Sequence, residues 1–364
     1  MTVNVGIREE DSSPVDEEVR LIGRKMKIFR QIDEIEQASE PVVTIGTFDG
    51  VHRGHQHLIQ RLNRKKAERN GTSYLITFHP HPQIVLDSRE SPVRLLTSLD
   101  EKITLLQKLG IDRLVILPFS KEFARLTGEE FIQEILVERI GVKEIVIGYD
   151  HAFGYRRSGN IDTVQKLGKQ FGYKTTVVPP FELDGQRVKS SLIRRLLEEG
   201  RLEAAEQMLG RAYEIWGRVV PGQGRGKQMN FPTANLAPDD PHKLIPANGI
   251  YAGRFWVRGR WHDAAISIGV RPTFRETKRI IEAFILRFNE SIYGEKVKVQ
   301  LLRRLREERR FPTVDALVEQ MRRDVEEVRE ILNQVQNEWR NNAVITRGES
   351  EDHSGVRAAR KRHG

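Results

Sequence analysis

The feature that most constrains this chain is a change of period near Arg211. Before it, short apolar runs at 42–45, 74–78, 113–117, 144–148 and 175–178 alternate with helical stretches at 100–109, 129–140, 162–171 and 192–199. Strands that recur between helices of this length build βαβ units, so an α/β, Rossmann-like parallel sheet is expected, with ligands gathered at the carboxyl ends of its strands. After Arg211, strand-like runs at 213–220, 249–257, 261–269, 280–288 and 296–302 follow one another with only turn residues between them. They predict an antiparallel β-barrel of five or six strands, followed by an amphipathic C-terminal helix over 314–332. A chain of 364 residues is too long for one ordinary core, and the expected domains are 26–205 and 212–336, joined through a short helical stretch at 202–209. The polar segments 1–25 and 337–364 are expected to be disordered.

Composition narrows the class. The absence of cysteine excludes disulfides, thiolate metal sites and cysteine nucleophiles. Apolar runs such as 114–117 and 145–147 are far too short to span a bilayer, and the polar N-terminus lacks the apolar core of a secretion signal. A cytoplasmic protein with no membrane partner is expected. The net charge of +9 raises nucleic acid as a partner, but the Lys and Arg residues are spread along the chain, with short clusters at 61–69, 303–310 and 357–362. That pattern reads as a solvated basic surface suited to small polyanionic substrates, and no nucleic acid is expected.

One motif follows the first expected strand: Gly46-Thr-Phe-Asp-Gly-Val-His52-Arg-Gly54-His55. Glycines at 46 and 50 permit close approach of backbone, and a helix is expected to begin near His52, so amide donors and the positive end of the helix dipole face one spot. That spot suits phosphate. His52 and His55, three apart, share a helix face, and Gly54 between them removes a side chain that would block a nucleotide lying against the turn. Two imidazoles there would donate hydrogen bonds to a triphosphate whose charge grows during reaction. Zinc is the rival reading of paired histidines.

The barrel half carries a second motif. Gly222, Gly224 and Gly226 with Arg225 and Lys227 make a flexible basic loop, at the wrong spacing for a Walker A sequence and with no Ser or Thr after Lys227. Phe231-Pro-Thr233-Ala-Asn235-Leu follows, which alone reads as an ordinary turn and behind such a loop as part of a nucleotide site. In the run 280–288, alternation places Glu282 on one face with Ile280, Phe284, Leu286 and Phe288. Glu282 is then either a base for a hydroxyl or a strand-end carboxylate paired with an arginine.

The first motif resembles the HxGH nucleotidyltransferases, which transfer nucleotidyl groups with release of pyrophosphate. Taken with Thr77-Phe-His-Pro-His-Pro82, Phe119-Ser-Lys-Glu-Phe-Ala124, Gly148-Tyr-Asp-His-Ala-Phe-Gly154, Lys189-Ser-Ser-Leu-Ile-Arg194 and the barrel motif, the chain from about Met26 through Leu332 resembles the bacterial bifunctional riboflavin kinase/FAD synthetases. The resemblance implies phosphorylation of riboflavin to FMN in the barrel and adenylylation of FMN to FAD in the N-terminal domain. It implies catalysis by His52, His55, Arg194 and Glu282, and nucleotide binding by Gly46, Phe48, Gly54, Asp150, Ser190, Ser191, Gly222, Gly224 and Lys227. Thr233 and Asn235 would hold Mg2+ on ATP, Phe153 would lie near adenosine or flavin, and Ser190 and Ser191 are equally natural helix caps. Four positions depart from the family pattern: Lys189, Ser267, Phe284 and Arg287. The implied partners are riboflavin, FMN and ATP, with a homo-oligomer left open. Two other readings remain at this point, a nucleotidyltransferase for another phosphorylated acceptor and a flavin-binding regulatory protein with one inactive site.

Overall fold

The computed structural model describes residues 26–86, 93–222, 231–272 and 277–358. They divide into two compact units. The first takes the described residues up to Glu198 together with Ala204–Arg211 and Asp239–Leu244; the second takes Glu199–Glu203, Ala212–Pro238 and the residues from Ile245 on. Segment 1–25 and the last part, 359–364, of the expected tail 337–364 lie outside the described residues.

The first unit is built on a six-stranded sheet of β1 (Lys27–Phe29), β2 (Pro41–Ile45), β3 (Thr72–His79), β4 (Arg113–Pro118), β5 (Glu144–Gly148) and β6 (Lys174–Val178), in the order β1-β4-β3-β2-β5-β6. Every neighbouring pair is parallel, as the alternating pattern predicts. The edge strand β1 escaped the sequence reading because three residues show no period. Side chains alternate between two apolar layers, with Val43, Ile45, Tyr74 and Ile76 in one and Val42, Leu75, Leu114 and Val146 in the other. Both faces are covered, which is why these strands are continuous apolar runs. Helix Arg53–Glu68 buries Ile59 and Leu62, and helix Leu99–Lys108 starts at a reciprocal cap between Ser98 and Glu101. The stretch Phe131–Ile140 is wound as a π-helix that ends at left-handed Gly141. A small hairpin, β7 (Glu182–Leu183) and β8 (Gln186–Arg187), precedes helix Ser190–Glu198. After β2 the chain lays down β3 and β4 on one side and then crosses back to place β5 and β6 on the other, so the crevice at the carboxyl ends of β2 and β5 is where a ligand is favoured, and it is bordered by residues 46–55 and 149–153.

The second unit is a closed antiparallel barrel of β9 (Tyr213–Val220), β10 (Ala234–Pro238), β11 (Gly249–Val257), β12 (Arg260–Pro272), β13 (Thr277–Ile285) and β14 (Lys296–Arg306), ordered β10-β13-β12-β11-β14-β9. Ala234–Pro238, within a motif that taken alone reads as a turn, is a ladder strand pairing with both β9 and β13. β13 stops at Ile285, and Arg287 takes φ 55, so Leu286 and Phe288 do not continue its face. The last helix runs Val314–Ala358, past the expected end at 332, and no proline interrupts it. Its Val328, Leu332 and Val335 pack on Ala252 and Leu302 of the barrel. Among the described residues no helix is long and apolar enough to cross a membrane.

Arg306 fixes that helix by a bidentate pair to Asp324, at 2.9 and 2.5 Å, both side chains largely out of water. Removing one partner of such a pair strands a charge. Asp324→Ala is expected to destabilise the barrel by about 3 kcal/mol, read as a lowered denaturation midpoint, whereas the double variant Arg306→Met/Asp324→Leu should recover most of that loss.

Candidate functional sites

The turn that follows β2 is held from several directions. Asp49, 1% exposed, accepts from Leu96 N at 3.0 Å, from Thr97 N at 3.1 Å and from Arg194 Nη2 at 2.5 Å. Burial pushes its carboxyl up, but Arg194 and Lys102 outweigh that and hold it below the usual carboxylate value. Lys102, itself buried, donates to Thr47 O at 2.8 Å, Ser190 Oγ donates to Asp49 O at 2.9 Å, and Arg211 Nη2 donates to Gly50 O at 2.8 Å. Gly50 adopts φ 85, and a Cβ there would stand 2.8 Å from Leu96 Cδ1.

His52 caps helix Arg53–Glu68, its Nδ1 accepting from His55 N at 3.3 Å. The His52 and His55 rings stack with centroids 3.6 Å apart, and buried Phe48 meets the His55 ring edge-on at 5.1 Å. Burial lowers His52 to about 4 against the opposing pull of Asp49, and lowers His55 well below its ordinary value. Both imidazoles are therefore neutral near pH 7, hydrogen-bonding groups without charge. At Gly54 a Cβ would meet the His52 ring at 3.2 Å and Val188 O at 3.3 Å, so the glycine also leaves room for the capping histidine.

Of the remaining expected residues, Arg194 is brought to the turn, and Ser190 ties the closing helix to Asp49. Gly46 borders Phe48, Ser191 is exposed, and Asp150 is exposed with Lys189 Nζ 3.7 Å away, which gives that departure a partner. Sequence reasoning missed Asp49, Lys102 and His151. His151 follows β5 beside Phe153, ring centroids 5.6 Å apart, and its enclosed Nε2 has no hydrogen-bond partner in the structure. Burial lowers it to about 4. A histidine in the quoted 148–154 motif was the available signal.

The second unit contains a cavity of about 340 Å³ beneath its last helix, lined by Thr233, Ser267, Glu282, Phe284, Arg306 and Met321 among others. In β13 the odd residues Ile281, Ala283 and Ile285 are buried, which turns Ile280, Glu282 and Phe284 together toward this cavity. Register then aligns three polar residues on adjacent strands, with Asn235 opposite Glu282 and Glu282 opposite Ser267. Thr233 Oγ1 donates to Glu282 Oε2 at 3.5 Å, a long contact. Gly222 passes so close to Asn235 that a Cβ would stand 2.1 Å from its Nδ2. Gly224 and Lys227 lie outside the described residues. Arg287 is exposed and off the ladder, whereas Phe284 lies 5.1 Å from the Phe231 ring and forms an apolar wall.

The buried imidazoles set a pH dependence. His52, His81 and His151 lie near 4 in the folded unit against 6.5 for the free side chain, so between those values the unfolded chain binds more protons. Their contribution to stability is complete above pH 6.5 and is lost as pH falls toward 4. The thermal midpoint should accordingly decline steadily from pH 7 to pH 4.5 in circular dichroism melts; a level midpoint across that window would contradict the neutral, buried imidazoles.

Two family descriptions match the chain, FAD synthetase over residues 34–192 and riboflavin kinase over residues 209–332. The bifunctional riboflavin kinase/FMN adenylyltransferase of Escherichia coli (strain K12) is 35% identical over 310 residues, covering 84% of this chain and 98% of that protein. The protein so named from Buchnera aphidicola subsp. Schizaphis graminum is 34% identical, covering 85% of this chain and 99% of its own. A solved structure described as a macrolide-efflux protein from Streptococcus pneumoniae matches with a TM-score of 0.76 at 31% identity, over 84% of this chain and 98% of that one. What is shared with that protein is the backbone; its name describes the Streptococcus protein.

Proposed function

We infer how the two sites work from the premise that this chain belongs to the bifunctional riboflavin kinase/FMN adenylyltransferase family. It phosphorylates riboflavin to FMN with ATP in the barrel unit and adenylylates FMN to FAD with a second ATP in the first unit, releasing pyrophosphate.

In the barrel, a neutral primary hydroxyl must lose its proton as it attacks phosphorus. Glu282 takes that proton while the hydroxyl oxygen bonds to the γ-phosphorus; the bond from that phosphorus to the β-γ bridging oxygen breaks, and ADP leaves. The observation that carries this reading is the row of Asn235, Glu282 and Ser267 across three adjacent strands, with Glu282 at the cavity beside the apolar wall of Phe284. The Thr233 hydroxyl and the Asn235 side-chain carbonyl are hard, neutral oxygens, a donor set that fits Mg2+ because this ion takes its charged ligands from phosphates and keeps water. Held there with ATP, it would neutralise phosphate charge.

In the first unit the acceptor is a phosphate already ionised near neutral pH, so no base is required. An FMN phosphate oxygen attacks the α-phosphorus of ATP, the bond to the α-β bridging oxygen breaks, and pyrophosphate leaves. His52, with Nδ1 engaged by a backbone amide, keeps its proton on Nε2 and donates it as a hydrogen bond, and His55 acts beside it as a second neutral imidazole. Arg194, aimed by Asp49 and by the Arg94 carbonyl, supplies the fixed positive charge. Gly46, Phe48 and the helix start behind them form the phosphate side of the nucleotide site, and Asp150 and Ser191 its exposed rim.

Purified protein given riboflavin, ATP and Mg2+, sampled over time by chromatography, is expected to form FMN first and FAD later. Glu282→Gln should slow FMN formation by about 10²–10⁴-fold while FAD still forms from supplied FMN. His55→Ala should show the converse, slowing FAD formation by about 10²-fold. Unchanged FMN formation in Glu282→Gln would remove the base assignment. Chelation of divalent ions should halt FMN formation, with Mg2+ restoring it.

A further inference from the structure

The first unit contains a segment that none of its motifs includes. After β10 ends at Pro238, the chain contributes Asp239–Leu244 to the first unit, before β11 begins at Gly249. This segment lies inside the stretch matched by riboflavin kinase, 209–332, not inside the FAD synthetase stretch, 34–192. Lys243 is its anchor. The side chain is 2% exposed, with Nζ 2.5 Å from Glu101 Oε2 and 2.7 Å from Leu96 O. The backbone follows it: Leu95 N donates to His242 O and Leu244 N donates to Leu95 O, each at 2.7 Å, a parallel bridge between Leu95 and Lys243. Arg94 Nη1 adds a bond to Pro241 O at 3.1 Å.

The strip gripped in this way, 94–97, is the strip that organises the nucleotide turn. Leu96 N and Thr97 N hold the Asp49 carboxylate, Thr97 Oγ1 accepts from Gly50 N at 3.0 Å, and Arg94 O accepts from Arg194 Nε at 2.7 Å. A lysine charge enclosed to this degree is retained only while paired, so it fixes the position of what it touches. We propose that Lys243 is a positioning residue for adenylyl transfer: it fixes the 94–97 strip, the strip fixes Asp49, and Asp49 with the Arg94 carbonyl aims Arg194 at the phosphates. Adenylyl transfer thus depends on a residue from the riboflavin kinase stretch of the sequence. This rests on the reading of Arg194 given above.

The test uses the full chain and follows two reactions in one preparation, FMN with ATP to FAD, and riboflavin with ATP to FMN. Lys243→Met is expected to lower kcat for FAD formation by about tenfold or more, leaving KM for FMN within about twofold and FMN formation near the wild-type rate. Because this variant strands the Glu101 charge, Lys243→Met/Glu101→Gln is measured beside it; glutamine still serves the cap at Ser98 and carries no charge. The double variant should regain the thermal midpoint while kcat for FAD formation stays low, since the bond to Leu96 O is still missing. Recovery of kcat together with the midpoint would reduce Lys243 to a stabilising residue, and an equal fall in both reactions would do the same. Arg194→Lys separates the two claims. FAD formation indifferent to Arg194→Lys overturns the reading of Arg194, whereas collapse in Arg194→Lys with wild-type kcat in Lys243→Met overturns only the role of Lys243.

Discussion

A single buried carboxylate organises the adenylyl-transfer unit. Asp49 is removed from water, and a charge in that position is tolerated only when hydrogen-bond donors and cations surround it. Its partners come from the loop at 96–97 and from helix Ser190–Glu198, so three distant parts of the chain must converge before the charge is satisfied. That convergence has a functional product. Lys102, Arg194 and Arg211 are drawn in to serve the acidic side chain and the carbonyls of Thr47 and Gly50. They leave a cationic frame around two neutral imidazoles at a helix start, an environment suited to a polyanionic nucleotide.

The kinase unit reaches its site by a different route. Alternation along β13 divides one strand between two environments, with Ile281, Ala283 and Ile285 packed in the barrel and Glu282 and Phe284 toward the cavity under the last helix. The Arg306–Asp324 pair holds that helix in place, so the cavity depends on an ion pair that does not itself belong to the chemistry. The departures from the family pattern then separate by position. Phe284 and Ser267 line the cavity, Lys189 pairs with Asp150, and Arg287 is exposed on an irregular turn. Zinc and phosphate were both open readings for the paired histidines. Stacked rings, one of them spent on capping its own helix, favour hydrogen bonding to phosphate.

Much of this architecture could be read from local pattern. Period-two and helical runs are properties of neighbouring residues, and they placed five of the six parallel strands, the barrel and the closing helices. Spacing brought His52 and His55 together, although His52 caps the helix rather than lying on its face, and alternation put Glu282 on one face with Ile280 and Phe284, the face that turns to the cavity. Local pattern failed where a segment is too short to show a period, as in β1, and where a strand is made by its neighbours, as in Ala234–Pro238, whose proline-containing approach reads as a turn until β9 and β13 pair with it.

Sequence alone therefore determined the two-part organisation and the two motifs, because each is written in residues close enough to share a helix turn or a strand. Tertiary structure alone decided what holds those motifs. Asp49 and Arg194 are 145 residues apart, and Lys243 and Glu101 are 142 apart. Neither pair leaves a mark in local pattern, since a buried ion pair is a solution to desolvation that exists only once folding has taken both charges from water. Gly54 makes the same point on a smaller scale: the residue type was legible, but the His52 ring and the Val188 carbonyl that a Cβ there would meet are brought beside it only by packing.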